Sequence, residues 1–134
     1  MSRIGLPKKL ADFEQTLTAA RMDAFYSATG WQSGPRPSMH PTLATCFRDG
    51  EFKAFQAMNI PLASVLHGEQ KYEYAKALQA DTAYCGETSL VQFYEKAGKG
   101  SVMKFYVFRT ELKDKTAGAL HVACETTIIV REAT

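Results

Sequence analysis

From Leu66 to Arg131 the chain is a succession of long segments in which apolar and polar residues alternate, broken by short polar turns. This half of the sequence restricts the possible folds most. Successive side chains on a β-strand point to opposite faces, so a period of two marks a strand with one face on a core. After Pro61, Leu66, Tyr72, Tyr74 and Leu78 share one parity, and Glu69, Lys71 and Glu73 the other. Further segments run from about Thr82 to Lys96, Val102 to Leu112 and Ala119 to Arg131. In the last, Leu120, Val122, Cys124, Thr126, Ile128 and Val130 fall on one face. Gln79-Ala80-Asp81, Ala97-Gly98-Lys99-Gly100 and Asp114-Lys115-Thr116-Ala117-Gly118 supply the turns. Segments of about 10 to 14 residues exceed the usual strand of about 5 to 6, and long strands twist enough for a sheet to curl around a helix.

Upstream, the first strong local signal is Thr18, placed to cap a helix on which Met22, Phe25 and Tyr26 recur at helical spacing before Gly30 ends it. A proline-rich stretch from Ser33 to Pro41 excludes regular helix. A second helix is expected from about Asp49 to Met58, with Phe52, Phe55, Gln56 and Met58 facing a core and Pro61 stopping it. Helices first and four long antiparallel strands after them give an α+β fold, one helix wrapped by a sheet.

Length suits one domain spanning residues 1–134. The net charge is +2, with 16 basic residues scattered among 14 acidic ones, which argues against a nucleic-acid face, since that requires clustered cations. Cys46, Cys85 and Cys124 form no CxxC pair and are odd in number. Buried or half-buried free thiols in a reducing, cytoplasmic compartment account for them. With no apolar leader and no apolar run near 18 residues, neither signal-peptide secretion nor membrane spanning is expected. The three histidines and three cysteines lack metal-ligand spacing, and no glycine-rich phosphate loop is present, so neither a metal nor another cofactor is expected.

Leu66-His67-Gly68-Glu69-Gln70-Lys71-Tyr72-Glu73-Tyr74 resembles a strand start in the N-terminal, non-catalytic half-domain of MaoC-like dehydratases. Phe93-Tyr94-Glu95-Lys96, the aromatic third segment, Thr126-Thr127-Ile128-Ile129-Val130-Arg131 and His40-Pro41-Thr42 are similar to the same half-domain, from about Thr18 to Arg131. The resemblance implies a hot-dog fold: a long antiparallel sheet around a central helix. It also implies paired subunits, as a homodimer or a heterodimer with a catalytic MaoC-type chain, and a tunnel for an acyl-CoA or acyl carrier protein thioester. In the catalytic half of such enzymes a Gly-Asp-x-Asn-Pro-x-His stretch supplies an Asp and a His that hold and deprotonate water. Backbone N–H groups at the central helix's N-terminus polarise the thioester carbonyl. Here the corresponding stretch reads Gly30-Trp31-Gln32-Ser33-Gly34-Pro35-Arg36, with Trp31 in the place of Asp and Arg36 in that of His, and no Asp lies between Asp23 and Asp49.

Three residues remain catalytic candidates. His40 is either a base beside the active-site loop or a loop histidine. Asp49 and Glu51 either complement the dipole of the second helix or supply the single carboxylate of a hot-dog thioesterase. For substrate binding, Trp31 caps a tunnel or packs beneath its loop. His67, with Gly68, lines a thioester pocket or forms hydrogen bonds across its turn or to Glu69. His121, on the polar parity of the last strand, is expected in solvent. Phe105, Tyr106 and Phe108 read as core and dimer seam. A non-enzymatic acyl-thioester binding module is the further alternative.

Overall fold

The computed structural model describes residues 5–31 and 40–133; the part of the proline-rich stretch that holds Arg36 lies outside them. The elements are β1 (Lys8–Leu17), α1 (Ala19–Ala28), α2 (Asp49–Ala57), β2 (Val65–Tyr74), β3 (Thr82–Gly98), β4 (Ser101–Asp114) and β5 (Leu120–Ala133), with 3-10 turns at Leu43–Cys46 and Leu62–Ser64. The strands form one antiparallel sheet in the order β1-β3-β4-β5-β2, with β1 and β2 at its edges. The α2 helix packs on its inner face, chiefly against β1 and β3.

Local chemistry explains the boundaries. The Thr18 hydroxyl accepts from Arg21 N at 3.1 Å and caps α1. At the other end Gly30, at φ +93°, allows its own N–H to reach Ser27 O and that of Trp31 to reach Tyr26 O, a Schellman closure. The β1 strand is an addition to the four expected: Ala11, Phe13 and Leu17 turn inward while Asp12, Glu14 and Thr16 point out. Phe13 lies opposite Gly86 of β3, and a Cβ on Gly86 would run into the Phe13 ring. A Cβ on Gly50 would likewise meet the Thr88 hydroxyl and Phe13. The first turn of α2 therefore rests directly on the sheet.

The core has two parts along the inner face. Phe13, Leu17, Leu43, Phe47, Leu78, Tyr84, Leu112 and Val122 form one; Ala54, Phe55, Leu90, Phe108, Ile128 and Val130 form the other. The inward parity of β5 is as the alternation predicts, from Val122 to Val130. Elsewhere three details differ. A bulge between His67 and Glu69 inserts Gly68 as an extra residue, which inverts the parity of β2: Val65 and then Gln70, Tyr72 and Tyr74 point inward, and Leu66 is 60 % exposed. On α2 the buried stripe is Gly50, Glu51, Ala54 and Phe55; Phe52 is 42 % exposed, with the Arg48 guanidinium over its ring. Within the aromatic cluster of β4, Phe108 meets Phe55 inside, whereas Phe105 lies on the outer face, stacked on Tyr94 at 4.6 Å.

Filling the gap over Gly86 should be costly. Gly86→Ala is expected to lose about 1–3 kcal/mol of unfolding free energy in urea, the range for an overpacked core. Gly98→Ala, whose Cβ would find nothing nearer than 3.7 Å, should stay within about 0.5 kcal/mol of wild type.

Candidate functional site

Where α2 begins, the inner face of the sheet turns polar. Register aligns Thr88, Thr110, Cys124 and Tyr72 across β3, β4, β5 and β2, and Thr126 with Gln70 in the next row. The Thr88 and Thr110 hydroxyls lie 2.7 Å apart. Above them Glu51, only 5 % exposed, accepts from Arg48 Nε at 2.7 Å through Oε2 and from the Thr126 hydroxyl through Oε1. Gln70 Oε1 lies 2.8 Å from Thr126 Oγ1 and 3.1 Å from His67 Nε2. A cavity of about 10 Å³, enough for one water, is lined by Thr45, Arg48, Glu51, Gln70, Tyr72, Thr110 and Cys124 among others. Tyr72 and Thr45 share a hydrogen bond of 2.5 Å, and the Tyr74 hydroxyl donates to Pro41 O at 2.8 Å while accepting from Ala44 N. These two tyrosines tie the segment before α2 to the sheet.

Burial governs the acid–base character of these groups. It pushes the Cys124 thiol up to about 12, with the Glu51 charge adding to the effect. The Tyr74 phenol is likewise pushed up to about 12, chiefly by burial. Burial also raises Tyr72, against the hydrogen bond to Thr45, and Cys46. None of these groups is a ready thiolate or phenolate. Cys85, unlike the other two thiols, is exposed.

The residues singled out in the sequence occupy different parts of the molecule. Glu51 is a buried anchor, whereas Asp49 is exposed in the first turn of α2. His40 stacks edge-on against Phe25 and Tyr26, and its Nδ1 accepts from Thr42 N at 3.2 Å. Trp31 packs on Tyr26, and its indole N–H is buried with no partner among the described residues. His67 belongs to the Glu51 cluster by way of Gln70, while Gly68 forms the bulge that turns both side chains to the same side.

His121 is not in solvent. It is 6 % exposed, with Nδ1 at 3.0 Å from Ala77 O and Nε2 at 3.1 Å from Asp114 Oδ2. Each ring nitrogen thus faces a protein acceptor and not solvent. This carboxylate–imidazole pair has both ring nitrogens engaged within the protein, and it clamps the β4–β5 hairpin to the segment after β2. A parity count misses it because a register shift between Leu112 and Lys113 leaves His121 as an extra residue on β5, on the same side as Asp114 and Tyr84, where Ala75 to Leu78 cover it with Ala75 N and Lys76 N bonded to His121 O. The signal available in the sequence was an Asp and a His at opposite ends of one short hairpin. Among the described residues no group of His, Cys, Asp and Glu is placed to hold a metal ion.

A long antiparallel sheet closed over one helix, with a polar seat at the helix N-terminus, is the hot-dog class of α+β protein. Residues 11–121 match the family model described as FAS1-like, dehydratase domain region, and the chain belongs to that family. No curated protein gives a significant sequence match. The fold is similar to a chain of the C-terminally truncated HadBC (3R-hydroxyacyl-ACP dehydratase) complex from Mycobacterium tuberculosis: TM-score 0.70, 13 % identity, 96 % of this chain and 98 % of that one. It is similar also to the (R)-hydratase from A. caviae involved in PHA biosynthesis: TM-score 0.61, 15 % identity, 96 % and 98 % covered. A mutant of a hypothetical thioesterase protein from Streptococcus pneumoniae superposes with TM-score 0.60 at 11 % identity, over 95 % and 86 % of the two chains. At these identities the likenesses establish the fold. No helix among the described residues is long and apolar enough to cross a membrane.

Two stability measurements check this description. Glu51→Ala removes both acceptors from Arg48 and Thr126 and should cost about 1–3 kcal/mol in urea unfolding, Arg48 being partly solvated; Glu51→Gln, which keeps the shape, should cost less. The Asp114 carboxyl is held below its ordinary pKa by the Ala117 N–H first and by His121. Its contribution is therefore complete above the unfolded-state value and fades as pH falls through the lower folded one. Thermal melts from pH 5 down to pH 2 should fall less steeply for Asp114→Asn than for wild type.

Proposed function

We propose that the chain is an acyl-thioester-binding hot-dog subunit of a 3-hydroxyacyl-CoA or 3-hydroxyacyl-carrier-protein dehydratase, run in the hydration direction as an enoyl hydratase. It lacks the catalytic Asp/His couple of the family, Asp114 and His121 being a structural pair, and works beside a catalytic chain of the same fold. The observation that carries this reading is how the histidines are used. His40 Nδ1 is occupied by Thr42, His67 Nε2 by Gln70, and both nitrogens of His121 by protein acceptors. Hydration needs a base with a free lone pair within reach of water, and Trp31 and Arg36 stand where the resemblance expects the couple.

Family membership supports the dehydratase class, and the HadBC likeness is to a chain taken from a complex. The first turn of α2 carries no side-chain cap, which leaves backbone N–H groups to polarise a thioester carbonyl. The cavity beside Glu51 admits one water and no acyl chain, so the acyl tail would lie between this chain and the partner that covers edge strand β2.

The purified chain alone should leave crotonyl-CoA unhydrated and should bind acyl-CoA once its catalytic partner is added. Steady hydration by the chain alone would defeat the reading. The thioesterase alternative predicts release of free CoA, measured with a thiol reagent, that disappears in Asp49→Ala. Glu51 is the weaker candidate for that role, because both its oxygens are already engaged.

A further inference from the structure

One hydrogen-bond chain runs from the inner edge of the sheet to the buried carboxylate, and its donors and acceptors admit few arrangements. Its members are His67, Gln70, Thr126, Glu51 and Arg48. A single amide atom of Gln70 faces both Thr126 Oγ1, at 2.8 Å, and His67 Nε2, at 3.1 Å. Turning the amide by 180° exchanges oxygen for nitrogen at that point. Suppose it is oxygen. His67 Nε2 must then donate to it, and the one hydrogen of Thr126 serves either Gln70 or Glu51, never both. Suppose instead it is the NH2 group. Its two hydrogens go to Thr126 and to His67, Thr126 donates to Glu51, and Arg48 Nε donates to the other carboxylate oxygen. Only the second arrangement satisfies every contact around a charged Glu51. It requires His67 to accept at Nε2, and so to be neutral with its proton on Nδ1.

We infer that His67 and Glu51 are the two ends of one directional hydrogen-bond chain, in which protonation of the exposed imidazole turns the Gln70 amide and takes the Thr126 hydroxyl away from the buried carboxylate. The other groups facing the chain do not change charge in the imidazole range, about pH 5 to 8. Arg48, the residue just before α2, remains a cation. Cys124 on β5 is pushed up to about 12, and Tyr72 on β2 is raised above its ordinary value. Thr45 and Thr110, from the other walls of the cavity, do not titrate. Glu51 holds the first turn of α2 to β5, so an acid pH loosens the helix end that forms the rim of the cavity. This coupling is independent of which reaction the chain serves.

Nitrogen-15 and carbon-13 NMR on the wild-type chain tests it directly. In the neutral form of His67 the protonated nitrogen should be Nδ1, the reverse of the usual preference in water. The Glu51 Cδ resonance should step at the same midpoint as the His67 ring. In Gln70→Met the neutral ring should revert to the Nε2–H tautomer, and the Glu51 step at the imidazole midpoint should vanish. A wild-type Nε2–H tautomer, or a Glu51 resonance that ignores the His67 titration, overturns the inference. The measurement uses the free chain, so failure of the dehydratase reading leaves its outcome unaffected.

Discussion

The close approach of α2 to the sheet sets everything above it. Two positions without side chains make it possible: Gly86 leaves a hollow in β3 that the Phe13 ring fills, and Gly50 lets the first turn of α2 settle onto Phe13 and Thr88. A helix normally stands about 10 Å from its neighbour, held off by side chains on both surfaces. Here one layer is missing on each side. The helix end is lowered into the sheet, and the buried Glu51 carboxylate of its first turn must be met by groups from the strands.

That requirement explains the composition of the inner face. Away from the helix start it is made of Leu90, Phe108, Ile128 and Val130, as a hydrophobic core demands. Beneath the helix start it carries Thr88, Thr110, Thr126, Gln70 and Tyr72, side chains that fill the volume of a branched or aromatic apolar residue and bring a hydroxyl or amide with it. Glu51 can be buried only because Arg48 and Thr126 meet its oxygens; a carboxylate without those partners would cost several kcal/mol to desolvate. Polar seat, buried carboxylate and water-sized cavity are consequences of a single packing decision.

How much of this could be read beforehand depended on whether the relevant rule was local. The Thr18 cap, the Gly30 closure and the alternation of β5 are local, and the structure reproduces them. The bulge at Gly68 is not: one extra residue between two ladders inverts the face of everything before it, so Leu66 lands outside although the alternation after it is correct. Phe52 misleads for another reason. Its hydrophobicity suggests the core, but the buried side of α2 is decided by where the helix can approach the sheet, and that side carries Gly50, Ala54 and the charged Glu51. On β1, Ala11, Phe13 and Leu17 hold the inward pattern, yet a neighbouring bulge and the surrounding charges weaken it. Of the candidate site residues, Asp49 and Glu51 were legible as a first-turn pair. That one is solvated and the other buried follows from their separation of about 200° around the helix, two residues at about 100° each, which means nothing until the sheet is in place.

The histidines make the strongest link between fold and chemistry. A base needs a lone pair that nothing else occupies, and each imidazole here spends at least one nitrogen on holding the chain together: His40 on the loop before α2, His67 on the Glu51 cluster, His121 on the β4–β5 hairpin. Such a distribution suits a chain that supplies surface and rigidity to a thioester site and leaves proton transfer to another subunit. It also makes the imidazoles structural loads. Acidification changes His67 at the edge of the polar seat and Asp114 at the hairpin through different bonds, so the two ends of the sheet respond to pH separately, one through the rim of the cavity and the other through the closure of β4 onto β5.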